Sequence, residues 1–179
     1  TRDIEGGDFD GWEIEQAVNG GKATLYGFEL NWQQQLNFLP GMWAGFGVYA
    51  NYTKTWASSD LVKDIREDEN FLPGQAGDIG NLAISYEWGG LTSRISVMHQ
   101  SNYLLEVGGE ADGSEDIWLD NFTTMDISAA YKIIPELDIF AEFVNILDAP
   151  DVEYIGISDR PTLQEYQNWW MRAGLKLSL

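Results

Sequence analysis

Residues 169–179 read Trp169-Trp170-Met171-Arg172-Ala173-Gly174-Leu175-Lys176-Leu177-Ser178-Leu179. Trp169, Met171, Ala173, Leu175, Leu177 and Leu179 share one parity; Trp170, Arg172, Gly174, Lys176 and Ser178 share the other. Successive side chains of an extended chain point to opposite faces, so this is a strand with one apolar face and one face that carries cations. A helix would scatter the same residues around its circumference.

The same period recurs upstream, eight times in all counting this one. Leu137, Ile139, Ala141 and Phe143 alternate, less cleanly, with Asp138, Phe140, Glu142 and Val144. Met125, Ile127, Ala129, Tyr131 and Ile133 oppose Asp126, Ser128, Ala130 and Lys132. Leu91, Ile95 and Val97 oppose Arg94, Ser96 and Gln100, and Leu82 to Trp88 oppose Asn81 to Glu87 in the same way. Ala44, Phe46, Val48, Ala50 and Tyr52 oppose Gly45, Gly47, Tyr49, Asn51 and Thr53. Tyr26, Phe28, Leu30 and Trp32 oppose Gly27, Glu29, Asn31 and Gln33, and a weaker first strand surrounds Trp12 and Ile14. Short turns are expected at Asn37–Gly41, Gly89–Gly90 and Ile134–Glu136. Long connections fall between them, apart from a short turn at Asn19–Gly21.

Charge separates along the same lines. Ten Lys and Arg stand against 29 Asp and Glu, a net −19. Segments 1–16, 57–78, 104–121 and 146–168 carry −5, −4, −6 and −4, and the remaining residues are neutral together. The excess acid therefore lies in an N-terminal arm and three long connections. A chain of this sign does not bind nucleic acid through a basic stripe. The absence of cysteine excludes disulfides, thiolate metal sites and a cysteine nucleophile, and one histidine, His99, excludes a multi-histidine centre. No run of 18 apolar residues is present, which excludes a transmembrane helix but not a barrel. Thr1 to Asp10 lacks the pattern of a signal peptide.

Short turns at one rim and long connections at the other fit an antiparallel all-β transmembrane barrel. Aromatics near strand ends (Trp43, Trp56, Trp88, Tyr103, Tyr131 and Trp169) fit the girdles at membrane interfaces. A soluble sandwich or lipocalin-like barrel alternates as well, and alternation alone leaves open which face is concave.

Several stretches carry a resemblance. Tyr26-Gly27-Phe28-Glu29-Leu30, Leu39-Pro40-Gly41 with Val48-Tyr49-Ala50-Asn51-Tyr52-Thr53, and Leu72-Pro73-Gly74 ahead of Asn81 to Glu87 are three of them. Met125 to Tyr131 and Phe143-Val144-Asn145-Ile146-Leu147-Asp148 complete the series. In order and spacing these resemble the barrel of TonB-dependent outer-membrane transporters, from about Gly11 onward. Arg172-x-Gly174-x-x-Leu177-x-Leu179 resembles the terminal signal read by the barrel-assembly machinery, with Leu179 where an aromatic is usual. Such barrels have 22 strands and a plugged lumen. The resemblance therefore implies that residues 1–179 are a C-terminal barrel segment of about eight strands, with the plug and earlier strands absent. A complete eight-stranded barrel with a structural or adhesive role is the competing expectation.

The resemblance further implies uptake of a scarce nutrient, foremost a ferric siderophore or similar chelate, energised by the TonB complex through a plug outside this chain. It implies the bacterial outer membrane, with long connections extracellular and short turns and C-terminus periplasmic. Membrane lipid and lipopolysaccharide are the expected surroundings, with a small-molecule ligand at the extracellular side and no nucleic acid. No catalytic residue and no cofactor are expected. Ligand-binding candidates are Trp118, Tyr154, Arg160 and Tyr166 on the connections and Arg94 and Arg172 in the lumen. Glu110, Asp112, Glu115 and Asp116 form an acidic cluster that suits a hard cation but lacks EF-hand spacing. His99 and Ser101 share one face of a strand, and a His–Ser pair on an outer wall resembles an outer-membrane phospholipase, a second alternative. Glycosylation sequons at Asn51 and Asn121 fall on expected strands.

Overall fold

The computed structural model describes residues 2–3, 13–14, 21–60 and 72–178. The strands are β1 (Arg2–Asp3), β2 (Glu13–Ile14), β3 (Ala23–Gln35), β4 (Phe46–Ser59), β5 (Asp78–Trp88), β6 (Leu91–Gln100), β7 (Tyr103–Glu106), β8 (Ile117–Leu119), β9 (Phe122–Ile134), β10 (Leu137–Val144), β11 (Asp151–Ile155), β12 (Pro161–Glu165) and β13 (Trp170–Leu177). β1 and β2 pair only with each other. The expected strand around Trp12 and the Asn19–Gly21 turn otherwise lie outside the described residues.

The seven long strands form one antiparallel sheet in the order β3-β4-β5-β6-β9-β10-β13, open at both edges among the described residues. These are seven of the strands read from alternation. Their register lines the apolar parity of every strand on one side. Val48 faces Ile84, Ile84 faces Ile95, Ile95 faces Ile127, Ile127 faces Phe143 and Phe143 faces Met171. A single-residue slip anywhere would put polar groups into this row.

Exposure along β5 decides which side is crowded. Leu82 and Ile84 are 49% and 45% exposed, whereas Ala83 between them is 3% exposed. Leu175 and Leu177 remain 66% and 62% exposed. The apolar face is therefore the open one and the polar face the more enclosed, the reverse of a soluble sandwich. Among the described residues the buried apolar side chains are Ala76, Ala83, Leu104 and Tyr154, three of them in the connections. The wall itself has no apolar core.

β7, β8, β11 and β12 form a second antiparallel sheet, in the order β7-β8-β11-β12. Two to six residues link each to a wall strand: β7 to β6, β8 to β9, β11 to β10 and β12 to β13. Its order repeats that of those wall strands, so the acidic connections continue the wall. Alternation did not reveal these short strands.

The first short turn also differs from expectation. Gly41–Gly45 forms a 3-10 turn, Gly45 is buried and β4 starts at Phe46, so Ala44 is not in the strand. Gly41 takes φ +57°, and Trp43 N–H reaches Pro40 O at 3.3 Å. That curl closes the hairpin, and Leu36 N–H donates to Phe46 O at 2.8 Å. Among the described residues no helix is long and apolar enough to cross a membrane.

Phe140, the aromatic that spoiled the alternation of β10, lies over Gly174 of β13, where an added Cβ would come within 3.0 Å of its ring. The glycine leaves room, and the ring covers the backbone.

An arginine at Ile84, mid-strand on the apolar face, is expected to cost about 2–4 kcal/mol against hydrocarbon. Ser85→Arg, one residue along on the polar face, is expected to change stability by less than about 0.5 kcal/mol. Denaturant titration of the two membrane-embedded variants measures the difference, and equal costs would contradict the assigned faces.

Candidate functional site

The polar face carries charge of both signs in ordered rows. Arg94, Ser128, Glu142 and Arg172 are consecutive register partners across four strands. The Arg172 guanidinium donates through Nε at 3.0 Å, and through Nη2, to Glu142 Oε2. Its carbon lies 5.9 Å from the Phe140 ring centre. Nearer the short turns, Asp138 faces Lys132 on one side and Lys176 on the other. On the opposite edge Asn51 Nδ2 donates to Glu29 Oε1 at 2.8 Å. Alternating charges that pair across strands suit a wetted surface, where each pair contributes little to stability but fixes side-chain direction.

Arg94 is exposed beside a hollow of about 380 Å³, lined among others by Tyr49, Asn81, Ser96, Thr124 and Asp126. Three strand spacings separate it from Arg172, about 14 Å at 4.8 Å per strand. The two arginines therefore do not converge on one small anion.

The second sheet gathers three of the other candidates. Trp118 and Tyr154 face each other in register and stack, with ring centres 6.5 Å apart and planes 6° from parallel. Tyr154 is 6% exposed, and its hydroxyl accepts from Asn102 Nδ2 at 3.0 Å. Arg160 lies in the turn between β11 and β12, with Nη1 3.5 Å from Ser114 O. Tyr166 stands apart, exposed beyond β12, and accepts from Gln164 Nε2 at 2.8 Å. Below them a cavity of about 490 Å³ is bordered by Trp56, Leu72, Gln75, Asn102, Leu104 and Trp118.

Two carboxylates of the acidic cluster, those of Asp112 and Asp116, serve the loop's own backbone. Asp116 is 1% exposed; its Oδ1 accepts from Gly108 N–H at 2.9 Å and its carbonyl from Gly156 N–H at 2.8 Å. Asp112 Oδ1 accepts from Ser114 N–H at 2.9 Å. The Glu110 carbonyl accepts from Gly113 N–H at 3.2 Å, and Glu115 lies beside Gly108. Among the described residues, no three His, Cys, Asp or Glu side chains gather as a metal site requires.

Sequence reasoning missed the junction between wall and second sheet. Asn145 has φ +52°, donates its N–H to Asp126 Oδ1 at 2.9 Å, and brackets Ala149 through both ends of its amide, at 3.1 and 3.3 Å. The stretches Met125 to Tyr131 and Phe143 to Asp148 each held one half of this clamp; nothing in sequence marked their pairing.

His99 and Ser101 do not meet. His99 Nδ1 lies 2.8 Å from Thr123 Oγ1, while Ser101 Oγ accepts from Asp78 N–H at 3.1 Å. β6 ends at Gln100, so Ser101 lies past the strand. Asn121 likewise falls between β8 and β9 rather than on a strand, whereas Asn51 is in β4.

No curated protein sequence matches the chain. Among solved structures it superposes on the unliganded form of the ferric citrate transporter FecA with a TM-score of 0.64 at 21% identity. The match covers 87% of this chain and 24% of that one, so the chain spans about a quarter of its length. At that identity the likeness establishes a shared fold, a partial antiparallel barrel. Residues 1–146 match the model of the TonB-dependent receptor-like β-barrel. The open antiparallel wall agrees with that match, and the chain belongs to the TonB-dependent receptor β-barrel family.

Proposed function

We propose that this chain is the C-terminal wall of an outer-membrane active transporter for a scarce nutrient, foremost a ferric siderophore or similar iron chelate. The observation that carries the reading is the apolar face shared by seven strands, charged only where Lys54 meets Asp78 and more exposed than the polar face behind it. Hydrocarbon covers the first face and a water-filled lumen the second. The open face between its aromatic rims has the height a bilayer needs. Phe46 and Trp56 on the open face of β4 are ten residues apart, about 33 Å along a strand and about 25 Å vertically at a tilt near 40°.

In this reading residues 1–179 form one barrel segment, and the plug and preceding strands belong to other parts of the protein. The long connections are extracellular; the short turns and β13's end face the periplasm. Lipopolysaccharide surrounds the upper rim, and the barrel-assembly machinery engages the terminal strand. The TonB complex acts through the plug. This wall contributes lumen surface and outer connections and carries no catalysis. Trp118, Tyr154, Arg160 and Tyr166 contribute aromatic and polar contacts above the lumen. Arg94 and Arg172 supply positive charge inside it. The acidic connections repel anions, so an anionic chelate depends on these lumen arginines rather than on loop charge.

A complete eight-stranded barrel is disfavoured because β3 and β13 each have one neighbour among the described residues. The separation of His99 from Ser101 disfavours the hydrolase.

Cells lacking the gene are expected to lose uptake of at least one radiolabelled ferric chelate and to grow poorly when it is the sole iron source. Unchanged growth on iron, cobalamin and glycan sources would contradict active uptake. Arg94→Ala is expected to weaken binding of an anionic ligand about tenfold, the loss of one charge-assisted hydrogen bond. Equilibrium binding to the full receptor measures it.

A further inference from the structure

The hollow of about 380 Å³ beside Arg94 lies over the smallest side chains of its row. Tyr49, Ala83, Ser96 and Asp126 are consecutive register partners across β4, β5, β6 and β9. Ala83, 3% exposed, and Ser96 make the floor. Tyr49 stands at one end of the row and Asp126 at the other. Arg94 lies two residues from Ser96 toward the short turns, and Asn81 and Thr124 lie one row toward the long connections.

The polar groups around this floor are largely unspent. Among the described residues the side chains of Tyr49, Asn81, Arg94, Ser96 and Thr124 make no hydrogen bond or ion pair. Asp126 gives Oδ1 to the Asn145 N–H at 2.9 Å and keeps Oδ2. Arg94 faces Ser128 in register, so Asp126 is its diagonal neighbour, about 7–8 Å away. The two do not form an ion pair. A guanidinium and a carboxylate thus flank the floor from adjacent strands, with room between them.

This arrangement selects its occupant by charge. A simple anion would meet Arg94 but also the Asp126 carboxylate, below long connections that carry −4, −6 and −4. A simple cation would meet the guanidinium. A neutral polyol would strip water from both charges and pair with neither, at a cost for each. A carboxylate and an ammonium on one carbon satisfy both. The carboxylate accepts from Arg94, whose planar fork suits two oxygens, and the ammonium donates to Asp126 Oδ2. Asn81, Ser96 and Thr124 add neutral donors and acceptors around them. Thr124 and Asp126 also border a second hollow, of about 370 Å³, with Asn145, Asp151 and Gln167. It adjoins the first on the side of the long connections and gives room to the body that bears the group.

We propose that the hollow between Arg94 and Asp126 binds an α-amino-acid group, with its carboxylate and ammonium on one carbon, carried by the transported ligand. This deepens the transport proposal and rests on the polar face lining the lumen.

The test uses the full receptor in neutral detergent with Ser96→Cys in the floor, labelled by a water-soluble methanethiosulfonate, and L-alanine as the probe. L-alanine at about 100 mM is expected to slow labelling about fivefold, whereas N-acetyl-L-alanine and L-alanine methyl ester, which keep one charge each, slow it less than about 1.5-fold. Thr53→Cys, on the same face outside the hollow, should be labelled at one rate with or without the probe. Adding Arg94→Gln or Asp126→Asn to Ser96→Cys is expected to abolish protection. The asparagine keeps an oxygen for the Asn145 N–H, and heat-modified gel mobility checks that each variant is folded. Absent protection, equal protection by either single-charge compound, or protection that survives either substitution in folded receptor would overturn the proposal. So would a Ser96→Cys receptor that resists labelling without any probe, because another part of the receptor would then cover the hollow. Uptake is read separately. Unchanged growth without the gene would remove the iron chelate and leave the protection standing, and absent protection would leave uptake intact.

Discussion

In hydrocarbon every backbone N–H and C=O needs a partner within the protein, since no water is there to supply one. The wall meets this by continuous pairing from β3 to β13, with one register shift, between Leu137 and Asp138. Pairing leaves the side chains to sort by face. One face holds rows of Ile, Leu, Val, Ala and aromatic groups; the other holds Arg94, Glu142, Arg172, Lys132 and Asp138. An edge left unpaired within a membrane would leave backbone groups unsatisfied.

This division of labour explains where the buried side chains are. Among the described residues nothing covers the open face of the wall, so its apolar groups stay exposed. Packing of the ordinary globular kind occurs above it, where Leu104, Tyr154 and Trp118 gather and Asp116 is held by backbone donors from two segments. The Asp126–Asn145 clamp lies at the boundary. It turns the chain out of β10 through a left-handed residue and ties the turn to β9, so that β11 resumes beside β8. The strand order of the wall is thus inherited by the sheet above it.

The faces of the wall were legible from residue parity alone because one repeat of two governs both geometry and environment there. Leu82 to Trp88 against Asn81 to Glu87 is the plainest case. Legibility failed where that repeat did not apply. β8 is three residues long and β12 is exposed throughout, so neither offers a face to alternate. Phe140 broke the pattern because its environment is set by Gly174 on another strand, a neighbour that parity does not see. Ala44 looked like strand because small residues alternate by chance beside a 3-10 turn. Of the candidate contacts, Trp118 and Tyr154 were found as residue types, but their stacking on each other depends on pairing between connections 30 or more residues apart. Asp126 lay within a stretch that carried the resemblance, but parity placed it only on the polar face and did not show that it holds Asn145.

The sidedness of the wall is open to direct measurement, because the described chain contains no cysteine to interfere with labelling. Spin labels attached singly at residues 81 to 85 of β5 and 94 to 97 of β6 in the membrane-embedded receptor report collision with oxygen and with a water-soluble nickel chelate. Leu82, Ile84, Ile95 and Val97 should be accessible to oxygen and shielded from the chelate, with Asn81, Ser85, Arg94 and Ser96 showing the opposite. A reversed pattern, or one without a period of two, would mean that the apolar face does not look into lipid.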